Sequence, residues 1–165
     1  MKKIVLISGT MGVGKSTVTK ELSKNTENSV YLDGDWCWMI NPFVANAENK
    51  AMVIKNIQYL LNSFIDNSMI KTIFFCWVMD EQEIVDILLD GINGENIDIR
   101  HISIVASQKW LKKNFEKDID AGIRTYRDFE NSLAKLPKYD SLLSEKVDSS
   151  DKSISAIVKI ILKKI

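Results

Sequence analysis

The sequence predicts an α/β fold in which one parallel sheet is covered by helices on both faces. Two observations predict this class. Short apolar runs alternate along the chain with longer segments in which apolar residues recur every three or four positions, the order typical of β–α units. The first apolar run, 4–7, also leads through a Gly-rich loop directly into a helical segment.

The individual elements follow from these patterns in chain order. The apolar runs predict strands at 4–7, 30–32, 72–77, 97–105 and 145–147. The run 72–77 is continuously apolar, as expected of a strand buried on both faces. The helical spacing predicts helices at 15–24, 47–65 and 81–89, one from about 107 that is interrupted at 120–122, one that ends before Pro137, and one at 154–165.

The Gly-rich loop is the most informative stretch of the chain. It reads Gly9-Thr10-Met11-Gly12-Val13-Gly14-Lys15-Ser16, followed by Thr17, and matches the G-x-x-x-x-G-K-[ST] pattern of a Walker A motif, or P-loop. Glycines allow main-chain N–H groups to approach an anion, and the helix N-terminus adds unpaired donors. Lys15 is expected to reach the β- and γ-phosphates, and the Ser16 hydroxyl to ligate Mg²⁺. The sequence therefore predicts that residues 9–17 bind a nucleoside triphosphate.

Composition excludes several other classes of function. With 165 residues, the chain fits one domain, 1–165, and its 22 basic and 22 acidic residues form no long run of either sign. We therefore expect neither a nucleic-acid partner nor a membrane-binding patch, and no segment approaches the length of a membrane span.

Cys37 and Cys76 are isolated, which favours reduced thiols in a cytoplasmic protein. His101, the only histidine, is expected to pack rather than to catalyse.

Two carboxylates follow the second predicted strand. Asp33 and Asp35 are expected at the same sheet edge as the P-loop, because ligands of open parallel sheets bind beyond the carboxyl ends of the strands. One carboxylate can support the magnesium shell, and the other can orient and deprotonate an acceptor hydroxyl beside the γ-phosphate. The alternative is that Asp33-Gly34-Asp35 is an ordinary strand-ending turn.

These motifs resemble those of the small P-loop kinases of metabolites and nucleotides. The loop with its additional middle glycine, Gly12, is similar to that of shikimate and gluconate kinases, and Leu32-Asp33-Gly34-Asp35 is similar to the segment after strand two in gluconate and adenylylsulfate kinases. The segments 31–43, 75–79 and 118–125 also resemble bacterial AAA-type, kinase-like ATPases of unassigned substrate. The resemblance implies a three-layer P-loop fold, a five-stranded sheet in the order 2-3-1-4-5, and phosphoryl transfer from ATP. It assigns the base-like, acceptor-binding role to Asp35 and the magnesium-side role to Asp33.

The chain departs from the gluconate kinases directly after Asp35. Those enzymes continue with a basic, polar segment, whereas this chain has Trp36 and Trp38, and Trp77 ends the third predicted strand. An aromatic wall beside the acceptor carboxylate favours a planar or hydrophobic substrate, such as a nucleoside, an aromatic metabolite or an antibiotic with a free hydroxyl. Alternatively, the tryptophans only pack beneath the second helix.

A lid is expected over approximately 118–137. Arg124 and Arg127 follow the interrupted helix, and arginine suits a segment that closes over a triphosphate because its planar fork matches phosphate oxygens. The resemblance supports Arg124 as a catalytic residue and Arg127 as a nucleotide ligand, with a solvated helix face as the alternative for both. It also implies that the loop 148–151 lies near the adenine base.

Asp80 and Glu81 allow a second interpretation of the third strand. An acidic pair after an apolar run resembles a Walker B motif, which would indicate a hydrolysing ATPase. We instead interpret Asp80 as the N-cap of the helix that follows, with Glu83 three residues later. A GTPase is not indicated, because no guanine-reading N-K-x-D motif is present.

The sequence thus predicts an ATP- and Mg²⁺-dependent kinase that transfers the γ-phosphate to a hydroxyl of a small molecule. Lys15, Asp35 and Arg124 are its predicted catalytic residues. The rival hypothesis is an ATP-binding regulatory switch, or an ATPase, without a small-molecule acceptor. Neither the acceptor nor the oligomeric state follows from the sequence.

Overall fold

A computed structural model describes residues 1–165. Its strands are β1 (Lys2–Ser8), β2 (Ser29–Asp33), β3 (Thr72–Cys76), β4 (Ile97–Val105) and β5 (Glu145–Asp148). Its helices are α1 (Lys15–Lys24), α2 (Ala47–Asp66), α3 (Gln82–Asp90), α4 (Gln108–Asp120), α5 (Tyr126–Lys135) and α6 (Ile154–Leu162). Two 3-10 helices, Gly34–Trp38 and Leu136–Ser141, follow β2 and α5.

The five strands form one sheet in the order β2-β3-β1-β4-β5, and every neighbouring pair is parallel. The predicted fold class and strand order are therefore confirmed. The central strand β1 pairs with β3 on one side, where Ile7 faces Cys76, and with β4 on the other, where Ser8 faces Ser103. The loops that follow β1, β2 and β3 consequently leave the sheet at one edge.

The apolar core lies on both faces of the sheet because successive residues of a strand point to opposite sides. On one face, Val5, Ile7 and Phe74 pack with residues of α1, α4 and α6. On the other face, the intervening strand residues, such as Ile4, Leu6 and Phe75, pack with residues of α2 and α3. This arrangement explains why the strand sequences read as continuous apolar runs.

Most predicted boundaries agree with the structure. The helix at 15–24 and the strand at 97–105 are confirmed at both ends. The strand predicted at 72–77 ends one residue earlier, and the helix interrupted at 120–122 ends at Asp120, before Gly122 adopts a positive φ. None of the helices combines the length and the apolar character that crossing a bilayer requires.

Candidate active site

The loop between β1 and α1 has the backbone shape that an anion site requires. Gly12 and Gly14 adopt φ angles of 85° and 94°, in the left-handed region that favours glycine. A Cβ added to Gly12 would lie 2.5 Å from the Phe115 ring and 3.2 Å from Nη1 of Arg124. The missing side chain therefore lets α4 and the Arg124 guanidinium approach the loop.

The loop borders a cavity of about 490 Å³, which we call the anion cavity. It brings Lys15 and Ser16 of the P-loop together with Asp35 and Arg124, which lie far from the loop in the sequence. The full lining is formed by Met11, Gly12, Gly14, Lys15, Ser16, Thr17, Asp35, Val78, Asn114, Lys117, Asp118 and Arg124. Ten of these twelve residues are polar, charged or glycine, as expected for a site that binds a charged ligand.

Asp33 lies beneath the start of α1 and is 6% exposed. Its Oδ2 accepts hydrogen bonds from the Ser16 hydroxyl at 2.6 Å and from the Tyr31 hydroxyl at 3.0 Å. Its Oδ1 accepts one from the Asp35 N–H at 3.1 Å. Asp33 is thus a fixed carboxylate whose nearest polar neighbour is the predicted magnesium-binding hydroxyl.

Lys15, Lys117 and Arg124 provide the positive charge of the anion cavity, and Lys15 and Arg124 are held beside the P-loop by contacts within the protein. The Lys15 ammonium donates a hydrogen bond to the Thr10 carbonyl at 3.1 Å, and burial lowers its pKa despite nearby carboxylates. The Arg124 guanidinium stacks on the Phe115 ring, 4.9 Å from its centroid. Its Nη1 is buried and lies 3.1 Å from Asp118 Oδ2, but without hydrogen-bond geometry. Arg124 therefore retains an unsatisfied donor beside the P-loop.

Asp35 lies in the first turn of the short 3-10 helix and is exposed to solvent at the edge of the anion cavity. Its pKa is raised, first because of partial burial and second because of the nearby Asp33 charge, while Lys15 and the Trp77 side chain act in the opposite direction. A carboxylate with a raised pKa holds a proton more readily than an ordinary aspartate. Its environment therefore suits a general base.

A second cavity of about 740 Å³ adjoins the first, and we call it the acceptor cavity after the role proposed for it below. Three residues, Met11, Asp35 and Val78, line both cavities, so Asp35 stands where they meet. The acceptor cavity has an aromatic wall of Trp38, Phe43 and Trp77, in which the Trp38 ring lies 5.4 Å from Phe43 and 6.4 Å from Trp77. The Trp38 indole N–H is buried and has no hydrogen-bond partner.

Several of the predicted site residues do not line either cavity. Trp36 is 56% exposed and contacts the Tyr31 ring edge-on, with centroids 5.1 Å apart, and Arg127 is exposed on α5.

Gly9 packs against β4, where an added Cβ would meet the Ile104 carbonyl at 2.5 Å. Thr10 and Val13 are buried and support the loop from below. The loop 148–151 lies beside the start of α4, where the Ser107 N–H donates to Ser150 Oγ at 2.8 Å.

The prediction that Asp80 caps α3 is wrong. The N-cap of α3 is Glu81, and no side chain caps that helix. Asp80 is 6% exposed and instead forms ion pairs with Lys135 at 3.2 Å and Lys138 at 3.3 Å. The end of α5 and the 3-10 helix that follows it bring these two ammonium groups to the end of β3, and they provide stronger partners than an N–H group of the helix.

The sequence reasoning also missed residues that contact the P-loop from α4 and α5. Asn114, Lys117 and Asp118 line the anion cavity, and the Asn114 amide donates to the Gly12 carbonyl at 3.1 Å. Their spacing of three and four residues places them on one side of α4. This spacing is visible in the sequence and could have predicted that the three side chains face the same site. Ser132 is 1% exposed, and its hydroxyl donates to the Met11 carbonyl at 2.6 Å.

The residues present fit a magnesium–triphosphate complex. The chain has no cluster of three or more His, Cys, Asp or Glu side chains that could hold a metal alone. Mg²⁺ typically uses substrate phosphates together with one or two protein oxygens, and the Ser16 hydroxyl with Asp33 behind it offers that set. The unsatisfied Arg124 donor and the glycine-shaped loop fit the triphosphate itself.

The fold and the site place this protein among the P-loop proteins, in their small kinase-like form. The chain belongs to the AAA domain family, whose model matches residues 5–133. A comparison with curated proteins gave no match.

The structure is similar to several solved structures. A gluconokinase from Sinorhizobium meliloti 1021 aligns with a TM-score of 0.73 at 14% identity, over 98% of this chain and 90% of that chain. A tunicamycin resistance protein from Deinococcus radiodurans aligns with a TM-score of 0.72 at 11% identity, over 99% and 95% of the two chains. A sugar kinase from Janibacter sp. HTCC2649 aligns with a TM-score of 0.70 at 13% identity, over 99% and 94%. At these identities, the similarity shows a shared fold.

Proposed function

We propose that this protein is an ATP- and Mg²⁺-dependent phosphotransferase that moves the γ-phosphate to a hydroxyl of a small planar or hydrophobic molecule. The position of Asp35 carries this proposal. It lines both the anion cavity, with the P-loop lysine, and the acceptor cavity, with the tryptophans. A carboxylate between a phosphate site and an organic pocket is the arrangement that phosphoryl transfer to an alcohol needs.

Each side chain has a role in the proposed reaction. Lys15, the loop N–H groups and Arg124 would hold the phosphates, and Ser16, supported by Asp33, would hold the metal. Mg²⁺, when bound, would offset negative charge on the phosphate oxygens. Asp35 accepts the proton of the acceptor hydroxyl as that oxygen bonds to the γ-phosphorus. The bond from this phosphorus to the β–γ bridging oxygen breaks, and ADP leaves with the electron pair.

The supporting comparisons are structural. The aligned proteins include a gluconokinase, a sugar kinase and a tunicamycin resistance protein, so the fold accommodates chemically different small molecules. The aromatic wall of the acceptor cavity favours a planar or hydrophobic acceptor over a sugar acid.

The test is acceptor-dependent ADP release. The protein is incubated with labelled ATP, Mg²⁺ and pooled nucleosides, aromatic alcohols and hydroxyl-bearing antibiotics, and labelled products are identified. We expect Asp35→Asn to lower turnover by about 10²- to 10⁴-fold with ATP binding retained, because the proton acceptor is lost. Asp66→Asn, which removes an exposed carboxylate at the end of α2, is the matched control.

The same variant separates this proposal from the rival. A regulatory switch without an acceptor would bind ATP and change little in Asp35→Asn. No labelled product from any pool, with the fold intact, would count against the phosphotransferase.

A further inference from the structure

The acceptor cavity has a charged end as well as an aromatic wall. Lys135, Lys138 and Lys50 line it together with four carboxylates, those of Asp35, Asp80, Glu81 and Glu83. The lining therefore carries a formal net charge of −1, although three ammonium groups are present. The question is whether any of these ammonium groups is free to bind an anionic acceptor.

Lys135 and Lys138 are neutralised within the protein, whereas Lys50 is exposed to solvent and forms no ion pair. The ammonium groups of Lys135 and Lys138 both lie against Oδ2 of Asp80, at 3.2 and 3.3 Å. Lys138 also donates to Glu81 Oε1 at 2.7 Å. Asp80 is nearly fully buried, so these contacts are less screened by solvent than a surface ion pair would be.

An anionic acceptor would consequently find only Lys50 unpaired, and water screens the charge of this exposed lysine. It would have to compete with Asp80 for the two lysines, and it would also lie near the Asp35 and Glu83 carboxylates. An uncharged ring stacked on Trp38 and Trp77 meets no such cost. The ammonium groups would become a receptor for a carboxylate only if Asp80 lost its charge.

We propose that Asp80, through its pairs with Lys135 and Lys138, sets the charge selectivity of the acceptor cavity. The cavity then takes aromatic alcohols without negative charge and rejects anionic ones. This selectivity rests on the proposed function, because the cavity is an acceptor site only if Asp35 faces a transferable phosphoryl group. Asp80 is a specificity-determining residue that acts through the two lysines.

The test measures binding rather than turnover. The probes are 2-naphthol and 6-hydroxy-2-naphthoate, which share a ring system and a hydroxyl and differ by one carboxylate. Their dissociation constants are measured by equilibrium dialysis with Mg²⁺ and a non-hydrolysable ATP analogue present, so that the P-loop does not bind the carboxylate. We expect the wild-type protein to bind 2-naphthol more tightly, and Trp38→Ala to weaken the binding of 2-naphthol, which places that probe in the cavity.

In Asp80→Asn, we expect the affinity ratio of the naphthoate to the naphthol to rise about tenfold, which equals about 1.4 kcal/mol. The triple variant Asp80→Asn/Lys135→Gln/Lys138→Gln should lose this gain, because the released ammonium groups are absent. Asp90→Asn removes an exposed carboxylate at the end of α3 and should leave the ratio unchanged. If Asp80→Asn does not fold, Glu81→Gln removes one of the two carboxylates that pair with Lys138 and should shift the ratio in the same direction by less.

Three results would overturn the inference: a wild-type preference for the naphthoate, an unchanged ratio in a folded Asp80→Asn or Glu81→Gln variant, or no binding of either probe. Failure of the proposed function has a different signature, which is the absence of ADP release with every alcohol in the pools.

Discussion

Asp33 and Asp35, only two positions apart, have different surroundings. Asp33 is buried and accepts three hydrogen bonds, from Ser16, Tyr31 and the Asp35 backbone. Asp35 lies at the cavity edge with a raised pKa. The pair therefore has one carboxylate held in place beside the metal-binding hydroxyl and one that is free to exchange a proton, consistent with the proposed division of roles.

The raised pKa of Asp35 predicts a pH effect on both activity and stability. We expect the acid limb of the kcat/KM profile to have a midpoint above 3.8, the ordinary value for aspartate. Because the folded carboxyl holds its proton more tightly than the unfolded one, ionisation at neutral pH costs stability. Asp35→Asn should therefore raise the unfolding free energy at pH 7, seen as a slightly higher melting temperature. The gain should be less than about 1 kcal/mol because Asp35 is solvent-exposed.

This gain should shrink as the pH falls through 3.8 and vanish well below it, where the carboxyl is protonated in both states. Melting curves of wild-type and variant protein at pH 3.5 and pH 7, without nucleotide, give the comparison. A lower melting temperature for Asp35→Asn at pH 7 would contradict the prediction.

At the scale of elements, α5 is attached to the P-loop by side chains. The Thr10 hydroxyl donates to the Ser132 carbonyl at 2.9 Å and lies 2.8 Å from the Ser132 hydroxyl. The Ser132 hydroxyl in turn donates to the Met11 carbonyl at 2.6 Å. These bonds connect the helix that follows Arg124 to the loop that is predicted to bind phosphate.

We expect Ser132→Ala to loosen this connection. The loss of a buried hydroxyl and its two partners should cost about 1–3 kcal/mol of unfolding free energy and weaken binding of an ATP analogue several-fold. Urea denaturation and calorimetric titration measure the two effects. Ser63→Ala, at an exposed position of α2, is the control and should change neither. Unaltered nucleotide affinity in Ser132→Ala would show that α5 does not help to shape the loop.

At the scale of the whole molecule, a buried polar network crosses three strands of the sheet. His101 Nε2 lies 2.9 Å from Ser8 Oγ, which is 2.8 Å from Ser103 Oγ. Ser103 continues to Ser144 at 2.6 Å, and the Lys146 ammonium donates to Ser144 Oγ at 2.7 Å. Burial, and then the charge of Lys146, lower the pKa of His101 to about 4.

This pKa predicts acid sensitivity of the fold. Between pH 6.5 and about 4, the unfolded chain binds a proton at His101 that the folded protein does not, so the unfolding free energy falls as the pH falls through this range. The expected loss is about 3 kcal/mol from this residue. His101→Gln should remove this pH-dependent loss of unfolding free energy. The urea midpoints measured at pH 7 and at pH 4.5 should therefore differ less in the variant than in the wild-type protein. Parallel pH dependence in the two proteins would contradict it.

The fold was largely predictable from local sequence. Strands such as 97–105 and helices such as 15–24 follow from hydrophobic periodicity and from a glycine-rich loop whose spacing has a direct physical reason. The strand order came from resemblance rather than from periodicity, because an apolar run specifies that a strand is buried and not which strands lie beside it. The positions of Lys15, Ser16, Asp33 and Asp35 also followed, since the first two begin the helix after the P-loop and the last two lie at the end of the second strand.

Other features depended on contacts between distant segments. Trp36 and Trp38 are two residues apart, yet only Trp38 lines the acceptor cavity, because the 3-10 helix turns Trp36 toward Tyr31 and solvent. Asp80 has an N-cap pattern in the sequence, but its partners come from the end of α5 and from the 3-10 helix that follows it.

The sequence by itself determined the α/β class and the phosphate-binding loop, because both depend on residue types at short, regular spacing. Only the tertiary structure decided which side chains meet across the acceptor cavity and which carboxylates are neutralised there. Those outcomes depend on the packing of the segment after α5 against the sheet edge, and local periodicity contains no information about that packing.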